Sequence, residues 1–190
     1  TEFHTVLATT ARVCDEPLAE WAQEYGVDCY RGEATDVAGR MLACAQAYGF
    51  SIFARVNGDS PFVQVPLLAK AFQTVEQGTC DFCTNLVPRS YPYGVSVEVV
   101  RTTTYASLYS KFDSPLHHEH ATSYIYENPS CLRMRMMHYD GGNEHNVRLV
   151  VDTQEDLVLM QKLVGKVGAG GTTDLRHLVK LAKEMQGGAR

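Results

Sequence analysis

The sequence predicts an α/β fold, a mostly parallel sheet flanked by helices, with a small β-rich insert. Three observations carry that prediction. Strand-like and helix-like segments alternate β-α-β-α-β-α through residues 6–75, and such alternation is built as crossover units on a parallel sheet. Two apolar strand-like segments end in an aspartate just before a helix, at Asp59 and Asp152. Between them, residues 91–100 and 133–139 read as strands with turn residues at Pro92 and Gly94.

The elements follow in order. Val6-Leu7-Ala8 is a short apolar strand running into Thr9-Thr10. Asp15-Glu16-Pro17 opens a helix, because proline suits the first turn and acids there suit the helix dipole. Leu18, Trp21, Ala22 and Tyr25 supply its apolar stripe, and Gly26 stops it. Residues 27–30 form a second strand, and Asp36 begins a helix through Val37, Met41, Leu42 and Ala45 that ends at Gly49. Residues 50–56 form a third strand, which turns at Asn57-Gly58-Asp59-Ser60-Pro61. Residues 64–75 return to helix with Leu67, Leu68, Ala71 and Phe72 on one face. Residues 101–112 read as helix, and Gly141-Gly142-Asn143 as a turn closing a hairpin between 133–139 and 147–151. Helices over 153–164 and 174–185 complete the chain. Gly168-x-Gly170 has no suitable strand before it and is not a dinucleotide loop.

Composition narrows the classes. The chain has 190 residues, 45% apolar and 21% charged, with a net charge of −5 and an isoelectric point near 5.8. That suits one globular domain with a sizeable core, and offers no broad basic face for nucleic acid. No apolar run approaches the roughly 20 residues of a membrane span. Six scattered cysteines, at 14, 29, 44, 80, 83 and 131, read as reduced thiols of a cytoplasmic protein. Cys80-x-x-Cys83 alone is a weak zinc or redox signal. His117-His118-Glu119-His120 lacks the spacing of a zinc helix and reads as a surface or anion-contacting loop.

Asp59 and Asp152 carry the chemistry. Ligands of open α/β sheets bind at the carboxyl ends of strands. Two aspartates converging there suit Mg²⁺, which takes a few carboxylates together with substrate phosphates. Each also has an ordinary reading, Asp59 as a turn residue and Asp152 or Thr153 as a helix cap with Asp156 as partner.

The chain resembles the CMP-sugar-acid synthetases, the acylneuraminate and KDO cytidylyltransferases, and most closely their spore-coat-polysaccharide branch. The matching segments are Val6-Leu7-Ala8-Thr9-Thr10; Tyr30-Arg31-Gly32-Glu33 with Asp36-Val37-Ala38-Gly39-Arg40; Arg55-Val56-Asn57-Gly58-Asp59-Ser60-Pro61; Asn85 with Arg89-Ser90-Tyr91-Pro92-Tyr93-Gly94 and Val97-Glu98-Val99; Glu119-His120-Ala121-Thr122 with Glu127-Asn128-Pro129; and Val151-Asp152-Thr153-Gln154-Glu155-Asp156-Leu157. They come in the family's order and span nearly the whole chain. Ser96 and Ala121 depart from it, standing where the branch often has Asp and Val.

The resemblance implies a Rossmann-like nucleotide-diphospho-sugar transferase fold, and a Mg²⁺-dependent transfer of CMP from CTP to a sugar or sugar acid with release of pyrophosphate. It implies Asp59 and Asp152 as metal ligands and Arg89 as a catalytic partner of the anionic substrate. Asn85, Tyr91, Glu98, Glu119 and His120 would bind substrate, and Thr9, Arg55 and Gly58 the nucleotide. Arg40 and Arg55 could equally salt-bridge within the fold. A homodimer is expected, with residues 90–145 reaching across and Met134, Met136 and Met137 at the contact. The family's opening strand and basic loop are absent from this sequence, so roughly 35–50 further residues are expected upstream, the size of one βα unit plus loop. The nucleotide and acceptor depend on that loop. The alternatives are another nucleotide or acceptor on the same fold, a non-catalytic paralogue, and a zinc protein using Cys80, Cys83, His117 and His120.

Overall fold

The computed structural model describes residues 3–167 and 174–187; the Gly168-x-Gly170 tract lies outside them. The elements run β1 (Val6–Thr10), α1 (Glu16–Glu24), β2 (Asp28–Gly32), α2 (Val37–Ala47), β3 (Ile52–Arg55), α3 (Val65–Glu76), β4 (Phe82–Thr84), β5 (Glu98–Arg101), α4 (Thr102–Tyr109), α5 (Pro115–Glu119), α6 (Ser123–Glu127), β6 (Met134–Met136), α7 (Gln154–Val167) and α8 (Leu175–Gly187). β1 pairs with β2 in parallel, Ala8 opposite Tyr30. A second sheet has the order β3-β5-β4-β6, with β6 parallel to β4. The predicted α/β class is the observed one, and the first six elements alternate as expected. The chain divides into two compact units, Thr1–Phe53 with Val100–Arg133, and Ala54–Val99 with Met134–Arg190.

In the first unit, α2 is the central helix. Asp36 caps it by accepting the Gly39 N–H at 2.7 Å, which satisfies one of the helix's orphan donors. Its inner face buries Ala38, Leu42, Cys44 and Ala45, and Gly49, at φ +67°, ends the turn beyond it. Tyr105 of α4 is fully buried, stands edge-on to Phe53 and donates to the Ala121 carbonyl at 2.7 Å. The expected apolar stripe of α1 is largely not core. Only Ala22 is buried, while Trp21 and Tyr25 are exposed and stack on each other at 4.8 Å. Amphipathic spacing marks a face but does not supply a partner for it.

The Asp36 cap is also a charge centre. Tyr109 donates to Asp36, and the His118 ring sits 3.0 Å from the same carboxylate. Burial pushes the Asp36 carboxyl up, yet the Tyr109 hydroxyl, the Gly39 N–H and His118 together hold it below its ordinary value. The bond to Asp36, reinforced by burial, pushes the Tyr109 hydroxyl up to about 12. A lowered folded-state carboxylate contributes stability that is present above the ordinary carboxylate range and is lost as pH falls through the lowered value. Tyr109→Phe is therefore expected to cost about 1.5–3 kcal/mol near neutral pH, as for a hydrogen bond to a charged group. Urea unfolding should show that gap to the parent closing as pH falls below the ordinary carboxylate range and through the lowered Asp36 value.

The His117-His118-Glu119-His120 cluster is not a loop. It forms most of α5, capped by Ser114. His117 is buried, with Nε2 2.9 Å from Glu127 and Nδ1 3.1 Å from Asp113 without hydrogen-bond alignment. The segment expected as a β-rich insert is largely helical. It holds α4, α5 and α6, and its strands β5 and β6 belong to the four-stranded sheet.

In the second unit, α7 and α8 cover a core of Phe62, Tyr91, Val95, Val147, Leu149, Met160, Leu163 and Leu178. The predicted hairpin does not form. β6 pairs with β4 instead, and residues 147–151 run as an extended segment joined to Tyr93 by one parallel bridge. Tyr93 N–H donates to Val147 O at 2.8 Å and Leu149 N–H to Tyr93 O at 2.7 Å. Among the described residues no helix is long and apolar enough to cross a membrane.

Candidate active site

The site is built on two turns of the second unit. After β3, the Ser60 N–H closes a turn onto the Asn57 carbonyl at 3.2 Å, and Asp59 stands exposed at its tip. The Ser60 hydroxyl donates to Asp59 Oδ1 at 2.9 Å. The second turn precedes α7. There Thr153 and Asp156 cap the helix reciprocally. Asp156 N–H donates to Thr153 Oγ1 at 3.2 Å, and Asp156 Oδ2 accepts the Thr153 N–H at 3.0 Å and the Asp152 N–H at 3.1 Å. The Asp152 N–H first, with the Thr153 bonds and Arg148, holds the Asp156 carboxyl below its ordinary value against the opposing effect of burial. Thr153 is thus the cap, and the Asp152 carboxylate is left out of the capping arrangement.

One backbone bond joins the turns. Val151 N–H donates to the Asp59 carbonyl at 2.9 Å, which joins the Asp59 turn to the residue just before Asp152. Two exposed carboxylates are a donor set that fits Mg²⁺, a hard cation that keeps waters and takes phosphate oxygens for its remaining positions. Among the described residues no three His, Cys, Asp or Glu side chains converge as a complete metal cage.

Arg148 pairs with one of these aspartates and shares the Tyr93 ring with Arg89. Arg148 Nη2 lies 2.5 Å from Asp152 Oδ2 and 3.8 Å from Asp156 Oδ2. The Arg148 guanidinium lies 5.1 Å from the centre of the Tyr93 ring, and the Arg89 guanidinium is equally distant from it. Arg89 Nη1 also donates to the Pro92 carbonyl at 3.4 Å. Cations at that distance from a ring are attracted by its face. The sequence reading found Arg89 but missed Arg148 and Tyr93. The available signal was the spacing of four between Arg148 and Asp152.

Several expected ligand contacts are structural. Asn85 is fully buried. Its Nδ2 donates to Val95 O at 2.9 Å, and its Oδ1 accepts the Val97 N–H at 2.8 Å. Its amide holds the backbone that follows the Arg89–Gly94 turn. Asn85→Ala is expected to lose about 2–4 kcal/mol in urea unfolding, because it leaves a buried donor and a buried acceptor unpaired. Tyr91 is likewise core, tilted against Tyr139 at 5.0 Å, with its hydroxyl donating to His138 O at 3.3 Å. Glu98 is 4% exposed and pairs with Arg55 at 3.6 Å, so these two predicted ligand contacts neutralise each other, as buried charges require.

Gly58 is exposed on the Asp59 turn. Thr9, in β1 of the first unit, is buried. Glu119 and His120 are exposed at the end of α5. Arg40 binds the Glu33 and Ala34 carbonyls, the internal role left open for it. Met136 is exposed and Met137 is buried. Cys80 and Cys83 are both buried, and burial pushes the Cys83 thiol up to about 11. A thiol so hard to ionise is a poor metal ligand or redox group. Together with the carboxylate partners of His117, this removes the support for a zinc centre.

Comparisons with known proteins give the family. The family described as Cytidylyltransferase matches residues 2–185. A spore coat polysaccharide biosynthesis protein, SpsF, of Bacillus subtilis is 27% identical over 93% of this chain and 73% of its own. An uncharacterized protein of Methanocaldococcus jannaschii is 25% identical over 83% of this chain; the match spans 64% of that relative's length. Among solved structures, a cytidylyltransferase from Leptospira borgpetersenii superposes with a TM-score of 0.88 at 25% identity, covering 96% of this chain and 76% of that one. A molybdopterin-guanine dinucleotide biosynthesis protein A from Archaeoglobus fulgidus, at TM-score 0.56 and 14% identity, shares the fold. With the family's pattern matched over nearly its whole length, this chain belongs to the cytidylyltransferases.

Proposed function

We propose that the protein transfers CMP from CTP to a sugar or sugar acid and releases pyrophosphate. The observation that carries the reading is the Val151 N–H bond to the Asp59 carbonyl. It joins the turn that carries Asp59 to the segment leading into Asp152, both exposed aspartates, while Thr153 and Asp156 see to the helix cap. An acceptor oxygen forms a bond to the α-phosphorus, the bond from that phosphorus to the pyrophosphate oxygen breaks, and the acceptor proton leaves to water. Such transfers need positioning and charge neutralisation more than a side-chain nucleophile. Asp59 and Asp152 would hold Mg²⁺, which when bound supplies charge neutralisation at the phosphates. Arg89 would meet the anionic acceptor, since a guanidinium suits a carboxylate. Arg55 keeps Glu98 as its counter-ion and lends rigidity beneath the Asp59 turn. The protein works in the cytoplasm as a homodimer, and Met136 is available to such a contact.

The test is pyrophosphate release from each of the four nucleoside triphosphates against a panel of sugars and sugar acids, with Mg²⁺ present. Release confined to CTP supports the reading and names the acceptor. Release with another nucleotide and none with CTP would overturn the choice of nucleotide.

A further inference from the structure

Arg148 has no part in the transfer just described, yet its guanidinium makes the closest ion pair of the site, 2.5 Å from Asp152. We infer that Arg148 is the resident counter-charge of the metal site. It closes Asp152 to a bare divalent cation, and gives the carboxylate up when the phosphates of a nucleotide arrive to take the guanidinium. This rests on the reading of Asp59 and Asp152 as metal carboxylates.

Four features support it. The pair is half-exposed on both sides, and exposed ion pairs are weak enough to exchange partners. The Arg148 backbone is pinned, its carbonyl accepting from Gln186 Nε2 at 2.8 Å and its neighbours Val147 and Leu149 bonded to Tyr93. Only the side chain is therefore free to shift. The guanidinium already lies 5.1 Å from the centre of the Tyr93 ring while it is paired with Asp152, and that ring would go on attracting the cation once the carboxylate is given up. Finally, Arg89 stands 5.1 Å from the centre of the same ring, so a second guanidinium shares the Tyr93 ring, and guanidinium groups are the side chains best suited to phosphate oxygens. Binding of metal and of phosphate then becomes coupled. Each relieves a charge that opposes the other, and such coupling is reciprocal.

The experiment measures binding of Mn²⁺ to the protein by the electron-spin resonance of the free ion, with and without inorganic pyrophosphate, correcting for direct chelation. A unit charge and a divalent cation a few ångströms apart in a water-like medium oppose each other by about three- to tenfold in an equilibrium constant. Arg148→Gln should therefore tighten Mn²⁺ binding about three- to tenfold without pyrophosphate and shrink the gain that pyrophosphate brings. Arg148→Lys keeps the charge and should bind bare Mn²⁺ as weakly as the parent. Mn²⁺ binding no tighter in Arg148→Gln, or an unchanged gain from pyrophosphate, overturns the role of Arg148. Asp152→Asn separates the two claims. Loss of Mn²⁺ binding in that variant, alongside an indifferent Arg148→Gln, sinks only the counter-charge. Mn²⁺ binding untouched by Asp152→Asn sinks the metal reading together with it.

Discussion

Asp59→Asn and Asp152→Asn are each expected to lower CMP transfer by about 100-fold or more while leaving the protein folded. An amide is a far poorer ligand for a hard divalent cation than a carboxylate, and either variant removes one of two carboxylates. The fold should hold because both residues are exposed. Asp59 bonds the Val151 N–H through its backbone carbonyl, which the substitution leaves in place. The Thr153–Asp156 cap does not involve the Asp152 side chain. Unfolding free energies should stay within about 0.5 kcal/mol of the parent, the usual range for surface changes. Steady-state pyrophosphate release, read beside urea unfolding of the same preparations, checks both halves. Activity within a few-fold of the parent in either variant would remove that residue from the site.

Gly94→Ala is expected to have the largest effect on stability, about 3–5 kcal/mol in urea unfolding. Gly94 adopts φ +97°, and a Cβ there would fall on the Leu149 carbonyl oxygen and 2.6 Å from its carbon. The obstacle is backbone and cannot swing aside, so the bridge between Tyr93 and residues 147–149 would have to open. Backbone strain at positive φ adds about 1–2 kcal/mol. Gly142 provides the comparison. At φ +107° it meets nothing within 4 Å, so Gly142→Ala carries the strain alone and should cost about 1–2 kcal/mol. Because residues 149–151 lead directly into Asp152, Gly94→Ala should also depress transfer in whatever protein remains folded.

How far the sequence could be read depends on which physics left a local mark. The alternation up to α3 was legible because helix and strand periods, proline at helix starts and glycine at φ +66° and +67° are all local signals. The third strand and its Asn57-Gly58-Asp59 turn were legible for the same reason. Residues 147–151 were misread. Val147, Leu149 and Val150 are indeed buried, but alternation reports burial and says nothing about where the N–H groups go. Here they go to Tyr93 and Asp59 instead of to a hairpin partner. The α1 stripe shows the converse, since spacing named a face that the structure leaves exposed at Trp21 and Tyr25.

In the site, resemblance named the segments but could not separate residues open to a ligand from residues that hold the loop. Asn85 and Tyr91 belong to the second kind. That distinction depends on burial and on partners ten and forty-seven positions away, which no local pattern carries. Arg148 was passed over because a basic residue four positions before an acid looks like an ordinary surface pair. Only its approach to Tyr93, beside Arg89, sets it apart.

The most direct test of the aspartate pair as the metal and nucleotide centre is a crystal structure with CTP and Mn²⁺, read in an anomalous difference map. The account expects a manganese peak about 2.1–2.2 Å from a carboxylate oxygen of Asp59 and one of Asp152, bridging to the CTP phosphates. A peak bound elsewhere, or CTP phosphates seated with neither aspartate in contact with the metal, would contradict it.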